Sequence, residues 1–256
     1  MVSSQSALLK WLNVIAFIFT VLVNGLAGST TLIGGQNTAQ ISDTNPTLIT
    51  PAGYVFSIWG VIYVLLGLFV IFQALPRETG RSYQTRIGPL FALSSLINIV
   101  WLFLWQYEFL GVSLVLMFLL LATLITIYLR LDVGASGVSL QERLAVRLPF
   151  SVYRGWITIA SIANVAVTLV SANWNGFGIA PEMWATLILI TALVIALLVL
   201  ATRRDVAYGL VVIWALVGIA VKQSGNPHIV MIAEVCALLV AIAEGAMLLR
   251  FRHRNT

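Results

Sequence analysis

The chain has 256 residues, of which 60% are hydrophobic and only 9% charged, with a net charge of +5. Soluble domains carry about 25% charged residues, so the charge here is too scarce to cover a water-facing surface. Runs of roughly 20 apolar residues recur along the whole length, which is what a bilayer core requires, and the ~10-residue alternating segments of a membrane barrel are not seen. The expected fold is all-α, a polytopic membrane helical bundle.

The net charge is not a nucleic-acid signature. The basic residues lie in short loops between apolar runs, where they orient a protein in the membrane, so no nucleic-acid partner is expected. The single cysteine, Cys236, sits inside an apolar run and reads as a small buried hydrophobe. His228 and His253 flank the last run with no cysteine or carboxylate cluster around them, so no metal site is expected.

Span one runs from about Leu8 to Ala27. The small residues Ala27-Gly28-Ser29 would also suit a signal-peptide cleavage site, but a retained span keeps the charge pattern consistent. Ser29 to Thr50 is a long polar loop without Lys or Arg, and its length fits either a functional lid or a solvated linker. Span two runs from Ala52 to Leu75 and stops at Pro76; a basic loop with Arg77, Arg81 and Arg86 follows. Span three covers about Ile87 to Gln106, with Pro89 in its first turn, where proline is tolerated. Tyr107-Glu108 makes a tight hairpin into span four, Phe109 to Leu131. The linker to Arg147 contains Ser139-Leu-Gln-Glu142, a capping-box pattern that predicts an interfacial helical entry. Pro149 predicts a kink, and span five continues to about Val170. An aromatic, glycine-containing loop leads to Pro181, well placed for a first helical turn. Spans six, seven and eight then run over Glu182–Thr202, Val206–Val221 and His228–Leu249.

Eight transmembrane helices can be tested by charge. With Lys10 inside, the inside segments hold Lys10, Arg77, Arg81, Arg86, Arg130, Arg143, Arg147, Arg203, Arg204, Arg250, Arg252 and Arg254, or 12 of the 14 basic residues. Only Lys222 is outside, and Arg154 lies within a span. That asymmetry is what the positive-inside rule demands. The protein is therefore expected to be integral to a membrane, read as a bacterial cytoplasmic membrane, with both termini cytoplasmic.

Three spans carry matching polar and aromatic faces. Phe56, Trp59 and Tyr63 fall at i, i+3 and i+7 on span two. Ser94, Asn98, Trp101 and Trp105 form one face of span three, and Trp156, Ala160 and Asn164 are spaced by four on span five. An amide in hydrocarbon wants a partner, so Asn98 and Asn164 should face the bundle. They read either as interhelical glue or as hydrogen-bonding groups of an aromatic pocket in which a flat, mostly apolar ligand stacks on the tryptophans.

These blocks resemble the TspO family of tryptophan-rich sensory proteins, or translocator proteins. Pro51 to Tyr63 is similar to the proline–aromatic–Trp–Tyr block that opens the family's second helix. Asn98-Ile-Val-Trp101 resembles its N-x-x-W in the third helix, and Trp156-x-x-x-Ala160-x-x-x-Asn164 its W-x3-A-x3-N in the fifth. The resemblance covers residues 8 to 171. It implies two parts: a five-helix unit over residues 1–171 and three additional helices over 172–256. It has departures: Tyr54 stands for the family's loop tryptophan, with one residue fewer before Trp59. The acidic residue of helix four is absent, and Pro149 to Trp156 is about one turn longer. The family implies a pocket for porphyrins, haem or sterol-like ligands, frequent dimers and no required cofactor. By resemblance Trp59, Tyr63, Asn98, Trp101, Trp156, Ala160 and Asn164 belong to that pocket; Tyr54, Phe56 and Trp105 join them as candidates.

The last three spans add ionisable groups in or near the bilayer, which are functional candidates by default because a charge there is costly. Depth along the spans predicts two pairs, Arg154 with Glu244 and Lys222 with Glu234. Such pairs would dock the extra helices onto the unit or, alternatively, form a proton- or ion-coupled pathway. Ala233, Ala237, Ala241 and Gly245 make a small-residue face on span eight. Three functions follow: a receptor or carrier for a flat hydrophobic ligand, a coupled secondary transporter, and an enzyme. No P-loop, metal cluster or nucleophile–base pair supports the third; light-dependent porphyrin breakdown would need none. A homodimer is among the expected assemblies.

Overall fold

The computed structural model describes residues 2–75, 82–134 and 137–254. Among them there is no strand. Eight long helices carry the fold: α1 Val2–Ser29, α2 Ile58–Ala74, α3 Leu90–Gln106, α4 Leu110–Arg130, α5 Leu148–Ser171, α6 Pro181–Arg203, α7 Val206–Lys222 and α8 Pro227–Arg254. Six have the length and apolarity to cross a membrane, α2 when counted together with the 3₁₀ turn Gly53–Ser57 that leads into it. The other two, α3 and α7, have 17 residues each. At 1.5 Å per residue that is about 25 Å, at the lower limit for a ~30 Å core. An apolar helix thus stands at each of the eight expected spans, six of them long enough to cross and two, α3 and α7, shorter.

Three local differences from expectation have physical causes. Span three does not start at Ile87: Gly88, at φ +52°, separates a short helix Ser82–Ile87 from α3, and Pro89 sits before α3 rather than inside its first turn. Span two begins as a 3₁₀ turn over Gly53–Ser57 before α2, so Phe56 lies outside the α-helix. Around Pro149 the helical register changes in the turn before the proline. Ser139 caps the short helix Leu140–Glu142, accepting from the Glu142 N–H, and a π-helical turn over Arg143–Arg147 runs on into α5. A proline ring clashes with the carbonyl four residues earlier; the wider π register absorbs that clash at Ala145. The expected loop residues Arg77 and Arg81 lie outside the described residues, as do the side chains of Arg252 and Arg254.

Two groups of buried apolar residues form the interior. One is built by α1 to α5 and includes Phe69, Phe91, Met117, Leu120 and Phe150. The other lies among α5 to α8 and includes Leu189, Ala196, Val212, Ala215, Ile229 and Val240. α5 serves both: Ile157 and Val167 face the first group, Ile159 and Ala166 the second. The expected small-residue face of α8 is used only in part. Ala233 and Ala237 are buried, but Ala241 and Gly245 are exposed; the packed stripe instead runs Ile229, Ala233, Cys236, Val240 and Glu244. Large apolar side chains such as Ile18 and Phe19 on α1, or Leu238 and Ile242 on α8, point outward, as lipid-facing residues do.

The long polar loop is not a solvated linker. It contains a helix, Thr38–Thr44, opened by a capping box in which Asn37 and Gln40 bond reciprocally. Ile41, Ser42, Ile49 and Thr50 are buried. Gln106 at the end of α3 pins the segment: its Nε2 donates to the carbonyls of Gln36 (2.8 Å) and Ile33 (3.2 Å). Gly34, at φ +73°, lies against the Gln106 carbonyl where a Cβ would overlap.

Candidate functional site

The faces of α2, α3 and α5 meet in one aromatic cluster. Trp59 is its centre. It stacks on Tyr63 (ring centroids 5.7 Å) and on Trp101 (6.2 Å), which in turn stacks on Trp105 (5.9 Å). From α5, Trp156 meets Trp59 edge-on at 6.2 Å, and Phe56 meets Trp156 at 5.9 Å. Such pairs add about 0.5–1.5 kcal/mol each beyond their burial, so the cluster is also a packing element. Tyr153, one turn before Trp156, packs edge-on against Trp59 at 6.0 Å.

A small apolar cavity opens within this cluster. Its volume is about 30 Å³, room for roughly one water molecule. Of the expected residues, Phe56, Trp59, Trp101, Trp105, Trp156, Ala160 and Asn164 line it. Thr38, Ser42 and Pro51 close it from the segment between α1 and α2, residues 30–57, called the entry segment below, and Met117 joins from α4. Three expected residues do not reach it. Tyr54 is exposed and packs edge-on against Trp214 of α7 at 5.5 Å. Tyr63 lies behind Trp59 in the stack, and Asn98 lies deeper in the bundle.

The two amides differ in what they leave free. Asn164 is fully engaged: its Oδ1 accepts from Trp101 Nε1 at 3.0 Å, and its Nδ2 donates to Thr168 and Ser113 at 3.3 and 3.4 Å. Asn98 Oδ1 accepts from Asn24 Nδ2 of α1 at 2.7 Å. Asn98 Nδ2 has no hydrogen bond of ordinary geometry, with the Tyr153 hydroxyl close by. Trp105 Nε1 donates to the Thr38 carbonyl at 3.3 Å. Trp156 Nε1 and the Tyr63 hydroxyl are buried without a partner. Around the cavity, then, an indole N–H is left unused where most buried polar atoms are satisfied.

The motif blocks are thus carried on adjoining helices in one site, and the comparison with protein families agrees with that arrangement. The family model described as TSPO-like protein matches residues 10–246. The chain belongs to the TSPO-like protein family. The match extends through α6, α7 and most of α8, so this TSPO-like chain carries its family signal well past residue 171. No curated protein and no solved structure matches it.

The ionisable residues of this TSPO-like protein are arranged differently from the two expected pairs. Lys222 pairs with Asp43 of the entry segment, not with Glu234, which is exposed on α8. Another ion pair joins Arg203 to Asp132, at 3.2 Å. Arg154 does not pair with Glu244. Its guanidinium lies between two rings, 4.0 Å from the Tyr128 centroid and 4.8 Å from that of Tyr208, a cation–π arrangement joining α4, α5 and α7. Glu244 instead presses its Oε1 against Gly209 of α7, where no Cβ stands in the way. Depth along a helix does not fix azimuth, and azimuth decides which charges touch. Among the described residues no group of three or more His, Cys, Asp or Glu could hold a metal ion.

Sequence reasoning missed the amides of α1. Asn13 donates to Gln73 of α2 at 3.0 Å, and Asn24 reaches Asn98. Polar residues inside an apolar run were the available signal.

Proposed function

We propose that this protein is a membrane receptor or carrier that binds a flat hydrophobic ligand of the porphyrin, haem or sterol-like kind among Trp59, Trp101 and Trp156. The observation that carries the reading is the aromatic cluster built around a cavity lined by Trp156, whose buried indole N–H has no partner. Such a site offers ring faces for stacking and a donor for an acceptor atom on the ligand. Family membership supports the same reading. No group in it performs covalent chemistry, and no cofactor is required. The ligand would be reached from the end where the entry segment lies, or laterally from that leaflet.

The test is tryptophan fluorescence quenching by a porphyrin in detergent or nanodiscs. Saturable quenching is expected, weakened in Trp59→Ala and Trp156→Ala. Absence of saturable quenching in the wild type, or unchanged affinity in both variants, would sink the reading.

A second reading, a proton- or ion-coupled transporter, rests on Glu244 Oε1 and Asp205 Oδ2, buried carboxylate oxygens without a hydrogen-bond partner. Uptake into proteoliposomes that is unchanged in Glu244→Gln would remove it.

A further inference from the structure

The cavity is too small for any ligand of the proposed class. Ligand pockets occupy about 300–1,000 Å³, whereas this one is about 30 Å³. Occupancy therefore requires the wall to move. Most of the wall is helix packed on helix. The exception is the entry segment, residues 30–57, which supplies Thr38, Ser42 and Pro51 to the cavity.

α3 holds the first half of that segment through Gln106 and Trp105, and its second half is held by α7, a helix outside the five that the motif blocks span. The Ala52 N–H donates to the Gly218 carbonyl at 3.0 Å. This carbonyl belongs to a helix interior, and the bond fixes the start of the 3₁₀ turn that presents Phe56. Trp214 Nε1 donates to the Val55 carbonyl at 3.1 Å, while its ring takes Tyr54 edge-on. Gln223 Nε2 donates to the Thr47 carbonyl at 3.0 Å. Lys222 pairs with Asp43, on the same short helix as Thr38 and Ser42. Gly218 allows the approach: a Cβ there would overlap Val55 and touch Pro51. The ion pair is the weakest of these, because its partners are 32% and 48% exposed. The bond from Ala52 engages a backbone N–H that would otherwise lack a partner, whereas the Val55 carbonyl also accepts from the Ile58 N–H.

We infer that α7 is a latch on the entry segment, and that release of this latch sets how fast ligand enters and leaves the aromatic cavity. The inference rests on the ligand-binding reading for its purpose, but the latch can be tested without a ligand. Each contact joins α7 to the cover, and none joins α7 to the aromatic cluster itself. Weakening them should therefore speed exchange in both directions without removing any stacking group.

The test uses the full chain with Cys236→Ser and a reporter thiol at Ala160→Cys, a cavity-lining position. A membrane-impermeant maleimide reports how often the cavity opens. Combining Trp214→Phe with Gly218→Val should raise the labelling rate about 5- to 30-fold, the factor that one or two kcal/mol of lost contact gives. Where that pair of changes lowers expression, Lys222→Asp serves instead. It sets two carboxylates against each other and should speed labelling; adding Asp43→Lys should restore the slow rate. Unchanged labelling in both sets of folded variants would overturn the latch and point to lateral entry between helices. Faster labelling together with faster porphyrin association and dissociation supports both readings. Faster labelling in a protein that shows no saturable porphyrin quenching would keep the latch and remove the proposed ligand.

Discussion

Asn164→Leu decides whether the α5 amide is glue or ligand contact. Asn164 is 2% exposed and joins three helices: its Oδ1 accepts from Trp101 of α3, and its Nδ2 reaches Ser113 of α4 and Thr168 of its own helix. Leucine is close to isosteric, so little cavity forms; the loss comes from the polar groups left behind. The Trp101 indole N–H would then be buried without a partner, at about 1–3 kcal/mol. The bonds from Nδ2 are long and contribute little. A double-mutant cycle with Trp101→Phe isolates the one strong bond. Interhelical hydrogen bonds in membranes couple by about 0.6 kcal/mol on average and up to ~1.7, and this one, at 3.0 Å, should fall in the upper part of that range. Reversible unfolding of the protein in bicelles, followed by tryptophan emission in a background that keeps Trp59 and Trp156, gives the four stabilities. Coupling indistinguishable from zero, or a neutral Asn164→Leu, would refute the reasoning and return Asn164 to the ligand-contact reading. In that event porphyrin affinity should fall while stability does not.

Other consequences follow from single contacts. Gly209→Ala places a Cβ onto Glu244 Oε1 and should destabilise by about 1–3 kcal/mol, with much of the loss recovered in the Glu244→Ala background; equal losses in both backgrounds, read by thermal melts, would contradict the packing. Tyr208→Leu removes one of the two rings that hold the Arg154 guanidinium. It should cost about 0.5–2 kcal/mol more in the wild type than in Arg154→Met, and additivity in chemical unfolding would count against the cation–π contact. Lys222→Ala alone should shift stability by less than about 1 kcal/mol because the pair with Asp43 is partly solvated. A larger loss would mean that the ion pair, rather than the backbone bonds, carries the hold of α7 on the entry segment.

The helices were legible because apolar runs of membrane length leave little choice in a bilayer, and because one period places Trp59 and Tyr63 together on one side of α2. The cluster was legible for the same reason on α3 and α5: Trp101 and Trp105, and Trp156 with Ala160, share faces that all line the cavity. What sequence period does not give is rotation about each helix axis and approach between distant segments. Asn98 has the right spacing, yet α1 supplies Asn24 to meet its Oδ1, a contact 74 residues away in sequence. Lys222 and Glu234 are matched by their places along the apolar runs, yet Glu234 is on an outward face and Lys222 meets Asp43. The breaks at Gly88 and over Arg143–Arg147 depend on local backbone relief around Pro89 and Pro149; a proline announces a disturbance there but not its form. Tyr54 was expected in the pocket by its place in the motif block, and Trp214 of α7, a residue no motif pointed to, draws it away.

The most direct test of the ligand-binding claim is an experimental structure of the protein with protoporphyrin bound. The account predicts ring-shaped density stacked against Trp59 and Trp101, an acceptor atom within hydrogen-bond reach of Trp156 Nε1, and an entry segment displaced from its closed position. Density confined to the lipid-facing surface, with the four tryptophans still closed around a water-sized cavity, would contradict it.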